Sequence, residues 1–348
     1  MNRGKPEKYI ALAGSIQQLM QDMELKSGDS LPSERKLAEH FKCNHITVRK
    51  SLRLLAQKNI IHTIASKGNF AGAAPLQRSR SNLIGFIFPE DEIFYYKIFS
   101  SVEKMIASNK MHPVVHLTGG SEFKETELLD YCDKAGFLAL IAVPNRLCAE
   151  HYRRMSIPVL FFDIPMEDVP IPQIVTDDHS GAFSATEHLI SYGHRRIAHI
   201  GSEYDFTGEQ RLNGFLDALA KHGIRHDKNL VKMRYPSREW GYYAARELFK
   251  GTKIPTAVFC SNDTIASGVM NYCAQNGIRV PQDLSVVGFG NTLTSEDLNL
   301  SSVSQNSEKI VNSLCSNLNL VLRGETPPSR IIIPTSFISR GTVAVPPK

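Results

Sequence analysis

Residues 31–55 read LPSERKLAEHFKCNHITVRKSLRLL, and their spacing decides the fold of the first part of the chain. Ser33, after Leu31-Pro32, is placed to accept hydrogen bonds from the free N–H groups of a new helix. That helix turns Leu37, Ala38 and Phe41 inward and stops near Lys42-Cys43. Asn44 is a second N-cap candidate, opening a helix whose inner stripe is Val48, Leu52 and Leu55. Two helices joined by so short a connection fit a helix-turn-helix. Upstream, Tyr9, Leu12, Ala13, Ile16, Leu19, Met20 and Met23 recur at three- and four-residue steps and make another apolar helical face, broken at Lys26-Ser27-Gly28-Asp29. Downstream, residues 60–64 and 69–71 predict a small hairpin around Ala65-Ser66-Lys67-Gly68. That hairpin is a wing.

Charge singles out the same region. Residues 1–81 hold 14 Lys/Arg against 6 Asp/Glu, and the remainder 26 against 29, so a balance of +8 and one of −3 give the net +5. A basic head on a mildly acidic body is the footprint of a phosphate-binding module attached to a neutral one. A recognition helix enters the major groove with its N-terminal end, which brings Asn44, His45 and Thr47 nearest the bases. Ser33 starts the preceding helix, and Arg35 and Arg49 can neutralise phosphate or grip guanine. Lys50 suits phosphate, and Lys67-Gly68 at the wing tip would approach the backbone or minor groove, glycine permitting the tight turn. Each of these side chains, taken singly, is also compatible with an ordinary solvated surface.

The run L-P-S-E-R-K-L-A-E-H-F, then T-V-R-K-S-L-R-L-L, then K-G-N-F resembles the GntR-type winged helix over roughly residues 8–72. The resemblance implies a DNA-binding domain at 1–72. One departure is visible: that family usually carries Ser-Arg just before its Thr-Val-Arg run, where this chain has Asn44-His45. Loss of the arginine implies an altered operator preference.

Residues 73–81 have no apolar period and read as a linker. Beyond them, apolar runs at 83–88, 113–116, 138–143, 159–162, 196–200, 257–260 and 285–288 alternate with amphipathic segments such as 98–108 and 181–192. This is the rhythm of parallel sheets with helices on both faces. The expected fold class is therefore α/β: a winged helix-turn-helix followed by a two-lobed, periplasmic-binding-protein-like domain of parallel sheets flanked by helices. In open α/β sheets a ligand lies beyond the carboxyl ends of the strands. Those ends carry Glu90, Phe94, Tyr95, Asn145, Asp163, Ser202, Asn262, Asp263 and Asn291, a mixture of aromatic faces with carboxylate and amide groups that suits a sugar-like ligand. Helix capping is the competing role for Asp177 and Asp263, and core packing for Phe94 and Tyr95. Trp240 precedes a helix start and reads as packing, and His194 and His199 read as structural.

The stretches V-T-D-D-H-S-G-A, E-H-L-I-S-Y-G-H-R-R-I-A-H-I-G, R-L-N-G-F-L-D-A-L, P-T-A-V-F-C-S-N-D-T-I-A-S-G and V-P-Q-D-L-S-V-V-G-F resemble the LacI/GalR-type sensor, itself similar to periplasmic sugar-binding proteins. The resemblance implies two lobes joined by three crossovers, placed near 82–174 with 303–325 and 175–302 with 326–345. It implies that Phe94 and Tyr95 stack on the ligand, that Asp163 makes a polar contact, that Arg211 grips effector oxygens and that Asn262 bonds the ligand. Where that family commonly has G-[YF]-D-D, this chain has Gly288-Phe289-Gly290-Asn291, leaving Asn291 as a partial substitute for a missing carboxylate.

The resulting expectation is a cytoplasmic homodimer that binds double-stranded operator DNA, and a repressor whose grip is set by a sugar between its lobes. No cofactor, metal or membrane partner is expected. The N-terminus lacks a sustained apolar segment, no stretch approaches the roughly 20 apolar residues that span a bilayer, and the six cysteines show no paired spacing. An enzyme is disfavoured because G-x-S-x-G, phosphate-loop and H-E-x-x-H motifs are missing. A ligand-independent DNA-binding dimer with a degenerate cleft, and a periplasmic transport protein, are the remaining alternatives.

Overall fold

The computed structural model describes residues 8–26, 28–58, 60–64, 68–72, 81–90, 92–203, 206–251 and 253–347. The chain divides into two units, residues 1–79 and 80–348.

The first unit contains α1 (Lys8–Asp22), α2 (Glu34–His40), α3 (His45–Gln57), β1 (Ile61–Ile64) and β2 (Gly68–Ala71). The caps form as the sequence predicts: Ser33 Oγ accepts from the Lys36 N–H at 3.3 Å, and Asn44 Oδ1 from the Ile46 N–H at 2.9 Å. Leu12, Ile16, Leu37, Val48, Leu52 and Leu55 share one buried core. Met23 differs from the sequence reading; it lies past the end of α1 and is exposed. Ser51 Oγ donates to the Tyr9 carbonyl at 2.8 Å and ties α3 to α1. β1 and β2 pair antiparallel, Ile61 opposite Ala71. The expected linker lies almost wholly outside the described residues.

In the second unit the chain runs β3 (Leu83–Phe88), α4 (Ile93–Ser108), β4 (His112–Leu117), α5 (Glu122–Lys134), β5 (Ala139–Ala142), α6 (Ala149–Arg154), β6 (Val159–Phe162) and β7 (Gln173–Thr176). It continues through α7 (Asp178–Ser191), β8 (Ile197–Gly201), α8 (Phe206–Lys221), β9 (Val231–Met233), α9 (Arg238–Phe249), β10 (Ala257–Cys260), α10 (Asp263–Gln275), β11 (Ser285–Gly290) and α11 (Leu293–Asp297). The last elements are β12 (Ser301–Ser304), α12 (Ser307–Leu322), β13 (Arg330–Ile333) and β14 (Ser336–Ile338).

Two six-stranded sheets result. The first lobe is ordered β13-β7-β6-β5-β3-β4 and its pairs are parallel. The second is ordered β14-β12-β11-β10-β8-β9 and is parallel except where β14 meets β12. Central strands are buried on both faces, which is why they read as continuous apolar runs. In β5, Ala139 and Ile141 face one core while Leu140 and Ala142 face the other. In β10, Val258 and Cys260 divide from Ala257 and Phe259 in the same way.

The chain crosses between the lobes after β7, after β12 and between β13 and β14. These crossings correct two expected boundaries. Residues 326–345 were assigned to the second lobe, but β13 pairs with β7 in the first, where Ile333 joins the core packed by α12. Residues 303–304 were assigned to the first lobe, but they complete β12, paired with β11 in the second. The two errors have different causes: β13 is an edge strand whose short apolar run does not show which sheet it joins, and β12 reads Ser-Ser-Val-Ser and has no apolar run at all.

Candidate functional site

On the first unit, α2 and α3 carry the polar side chains singled out in the sequence. Arg35 is exposed and pairs with Glu39 one turn on, at 3.1 Å. Arg49 reaches back to α2, its Nε and Nη2 lying 3.2 and 3.0 Å from Glu34 Oε2. His45 is exposed at the first position of α3, and Thr47 is half-buried beside it. Lys50 is exposed, its ammonium 6.0 Å from the Tyr9 ring. Gly68 has a φ of +114°, which glycine adopts without strain, and a Cβ there would meet open space. Lys67 lies outside the described residues. Ser33 and Asn44 act as caps, so their side-chain oxygens are spent on the backbone. One residue escaped the sequence reading: Ile46, in the first turn of α3, is 64% exposed. An apolar side chain held in water at the leading end of a recognition helix can meet a thymine methyl group.

On the second unit, the carboxyl ends of both sheets open onto a cleft of about 560 Å³, a size that suits a small ligand. Phe94 and Tyr95 start α4 and line its wall. Both are 6% exposed, and Tyr95 lies stacked on Phe88, so they belong to the core and to the cleft at once. The Tyr95 hydroxyl donates to Asp163 Oδ2 at 3.0 Å. Asp163 ends β6 with a φ of +68° and also accepts from Gln305 Nε2 at 3.4 Å. Asn145 caps a short turn after β5, accepting from the Leu147 N–H at 3.0 Å and donating to the Gly120 carbonyl at 3.1 Å.

From the second lobe comes Arg211, buried on α8. Its guanidinium is paired with Asp178, donates to the Ser261 carbonyl at 2.8 Å and lies 3.9 Å from the centre of the Phe289 ring. Asn262 caps α10 through Oδ1, 2.8 Å from the Ile265 N–H, while its Nδ2 crosses the cleft to Glu92 Oε1 at 3.3 Å. Tyr235 donates its hydroxyl to Glu90 across the same cleft, and the Arg146 guanidinium lies 5.5 Å from the Phe206 ring. Among the described residues, these contacts bridge the lobes.

Asn291 corrects an expectation. It does not line the cleft; at φ +48° it turns away and accepts from Arg340 Nη2 at 2.6 Å. Asp263 supplies the nearby carboxylate instead. It does not cap α10, the role weighed for it, but accepts from the Thr292 N–H and hydroxyl at 2.8 and 2.9 Å and from Ser302 Oγ at 2.7 Å. Gly290 has a φ of +122°, a backbone angle that resists a side chain, and a Cβ there would meet Thr292 Cγ2 at 3.3 Å. Burial raises the Asp263 pKa above the usual carboxylate range, against the opposing hydrogen bonds.

Glu125 was missed in the sequence. It lies mid-turn in an unremarkable acidic helix, yet is buried at the cleft wall, accepting from the Asn145 N–H and the Tyr152 hydroxyl, each at 2.8 Å. Burial raises its pKa as well. Gln305 was missed because β12, which it follows, was not recognised as a strand. Trp240 packs against the second lobe's core and donates from Nε1 to the Gly201 carbonyl at 3.2 Å, as packing requires. His194 is held by Thr256, Ser285 and the Ala344 carbonyl. Among the described residues no cluster of His, Cys, Asp and Glu could hold a metal ion, and no helix is long and apolar enough to cross a membrane.

Known proteins agree with this division. Residues 8–70 match the bacterial regulatory proteins of the gntR family, and residues 186–343 match the periplasmic binding protein-like domain. An arabinose metabolism transcriptional repressor of Geobacillus stearothermophilus is 27% identical over 297 residues, covering 81% of each chain. The HTH-type transcriptional regulator DegA of Bacillus subtilis is 30% identical over 246 residues, 68% of this chain and 72% of DegA. A LacI family transcriptional regulator from Enterococcus faecium, solved with bound ribose, superimposes with a TM-score of 0.68 at 22% identity, over 76% of this chain and 99% of that one.

Proposed function

The chain belongs to the helix-turn-helix transcription regulators that join a gntR-family DNA-binding domain to a periplasmic binding protein-like domain, and on that premise we propose that it is a repressor whose hold on operator DNA is set by a small sugar in the cleft of its second unit. The observation that carries the reading is the presence in one chain of a capped helix-turn-helix with a basic exposed face and a cleft walled by Phe94, Asp163, Arg211 and Asn262. His45, Ile46, Thr47 and the side-chain N–H group of Asn44 read bases, while Arg35, Arg49, Lys50 and the wing around Gly68 meet the backbone. A homodimer in the cytoplasm presents two such helices to a two-fold operator.

A ligand that touches both lobes favours their closed arrangement, already bridged by Asn262–Glu92 and Tyr235–Glu90, and so biases the equilibrium between dimer geometries. The test is selection of a duplex by the full-length protein, followed by titration of that complex with pentoses and hexoses. Release of the duplex by one of them supports the reading; identical operator affinity with and without every sugar that binds sinks it. The turning away of Asn291 favours a second reading, a DNA-binding dimer with a silent cleft. Failure of any sugar to raise the melting temperature would bring that reading forward.

A further inference from the structure

A buried polar path runs between the two walls of the cleft. The Tyr95 hydroxyl donates to Asp163 Oδ2 at 3.0 Å, and Gln305 Nε2 donates to Asp163 Oδ1 and to Thr176 Oγ1, each at 3.4 Å. Thr176 Oγ1 donates in turn to Asp178 Oδ2 at 2.7 Å, and Asp178 Oδ1 accepts from Arg211 Nε at 2.7 Å. All six residues are less than a tenth exposed. Asp163 follows β6 in the first lobe and Arg211 sits on α8 in the second, while Thr176 ends β7 and Gln305 follows β12, where the chain crosses between the lobes. Asp163, Gln305 and Arg211 line the cleft; Thr176 and Asp178 stand behind it.

We infer that Gln305 is a positioning residue for the ligand: through Thr176 and Asp178 it holds Asp163 of one wall in a fixed relation to Arg211 of the other. The inference rests on the reading of the cleft as a sugar site. Proton accounting singles out the amide. Thr176 has one hydroxyl proton, directed at Asp178, so towards Gln305 it only accepts. A primary amide nitrogen carries two N–H groups and supplies both bonds from one atom. Cutting the path at Gln305 or Thr176 leaves Tyr95 on Asp163 and the Ser261 carbonyl on Arg211, so each wall keeps a partner and what is lost is the relation between them. A ligand that spans walls free to shift has to order them itself, and that cost comes off its affinity.

Calorimetry on the full-length protein with D-ribose, D-xylose, L-arabinose, D-galactose and D-glucose tests this. Gln305→Met fills a similar space without donors, and Thr176→Val keeps the shape of threonine without its hydroxyl. For a sugar that the native protein binds, each should weaken binding about tenfold, the worth of one well-placed buried hydrogen bond. Both cut one path, so the double variant should also bind about tenfold more weakly than the native protein, whereas independent effects would multiply to about a hundredfold. Thr176→Ser, which keeps the hydroxyl, should recover most of the loss. Should Gln305→Met not fold, Gln305→Asn, whose amide is one methylene too short to reach both oxygens, takes its place. Native affinity in either single variant overturns the inference, as does a double variant near the product of the single losses, or a Thr176→Ser that binds no better than Thr176→Val. A native protein that binds none of these sugars overturns the sugar reading itself and the inference with it, a result distinct from the others.

Discussion

Arg211 and Asp178 form a buried ion pair, with Nη2 2.6 Å and Nε 2.7 Å from the same Oδ1. Asp178 opens α7 directly after the first crossover, and its other oxygen accepts from Thr176 Oγ1 at 2.7 Å. The pair therefore fixes a cleft arginine to a segment that joins the lobes. Removing one partner of a buried pair costs about 3–5 kcal/mol, because the survivor is left buried and uncompensated. Asp178→Asn keeps the shape and removes the charge. Its expected effect is a loss of about 3 kcal/mol in urea unfolding, with weaker sugar binding through a loosened Arg211. Stability within about 0.5 kcal/mol of the native protein would contradict the account.

Arg49 and Glu34 tie the two helices of the DNA-reading pair on an exposed surface. Glu34 raises the Arg49 pKa through its hydrogen bond and charge. On approaching duplex, Arg49 can exchange that carboxylate for a phosphate. Arg49→Ala should weaken binding to all sequences and lower the salt slope of log K by about one. Glu34→Gln should tighten binding, since it removes a negative charge facing the phosphates. Fluorescence anisotropy at a series of salt concentrations reads both, and an unchanged slope in Arg49→Ala would place that side chain off the DNA.

How much of this was legible depends on burial. Val48, Leu52 and Leu55 declare α3 because a one-sided helix must repeat its apolar residues, and β3, β5 and β10 declare themselves because both faces are covered. β13 carries an apolar run, Ile331-Ile332-Ile333, but so short a run at a sheet edge does not tell which lobe it joins, and the lobe boundary goes astray there. Asp163 and Asn262 are legible because each lies just past the end of a strand, whereas Arg211, in the middle of α8, is pointed to only by the resemblance of the R-L-N-G-F stretch. Glu125 was hidden because a single acid among Glu122, Glu127 and Asp130 carries no sign of facing inward. Asn291 was misplaced because a left-handed backbone angle, invisible in composition, swings its side chain towards Arg340.

His199 lies fully buried between Phe215 and Phe259, and desolvation, with the Arg211 charge adding to it, pushes its pKa down to about 3. A folded-state pKa below the unfolded one means that the unfolded chain takes up the proton first. Stability from this group is present above the unfolded value and is lost as pH falls through the window between 6.5 and about 3. Between pH 6.5 and 5.5 the loss is about 1 kcal/mol. His116, His188 and His194 shift in the same direction, while Glu125 and Asp263 act oppositely, gaining stability as they protonate. Urea unfolding at the two pH values isolates the group by comparison with His199→Leu, whose pH slope should be shallower. Equal slopes would show that the imidazole is charged or absent from the core.

Trp240 is the only tryptophan in the chain, which makes it a reporter of one place. Its indole N–H is bonded to the carbonyl of Gly201, and the next residue, Ser202, faces the cleft. On its other side the Arg234 guanidinium lies 5.6 Å from the ring, one residue before Tyr235, which bridges to Glu90. Filling the cleft with a sugar that calorimetry shows to bind should therefore tighten both contacts, exclude water from the indole and move its emission to shorter wavelength. The shift should saturate at the calorimetric affinity. Trp240→Phe should abolish the signal and preserve binding, because the indole packs against the core of the second lobe and does not line the cleft. Emission that stays constant at saturating sugar would separate Gly201 and Tyr235 from the closing movement, and with them the idea that the bridge between Tyr235 and Glu90 responds to the ligand.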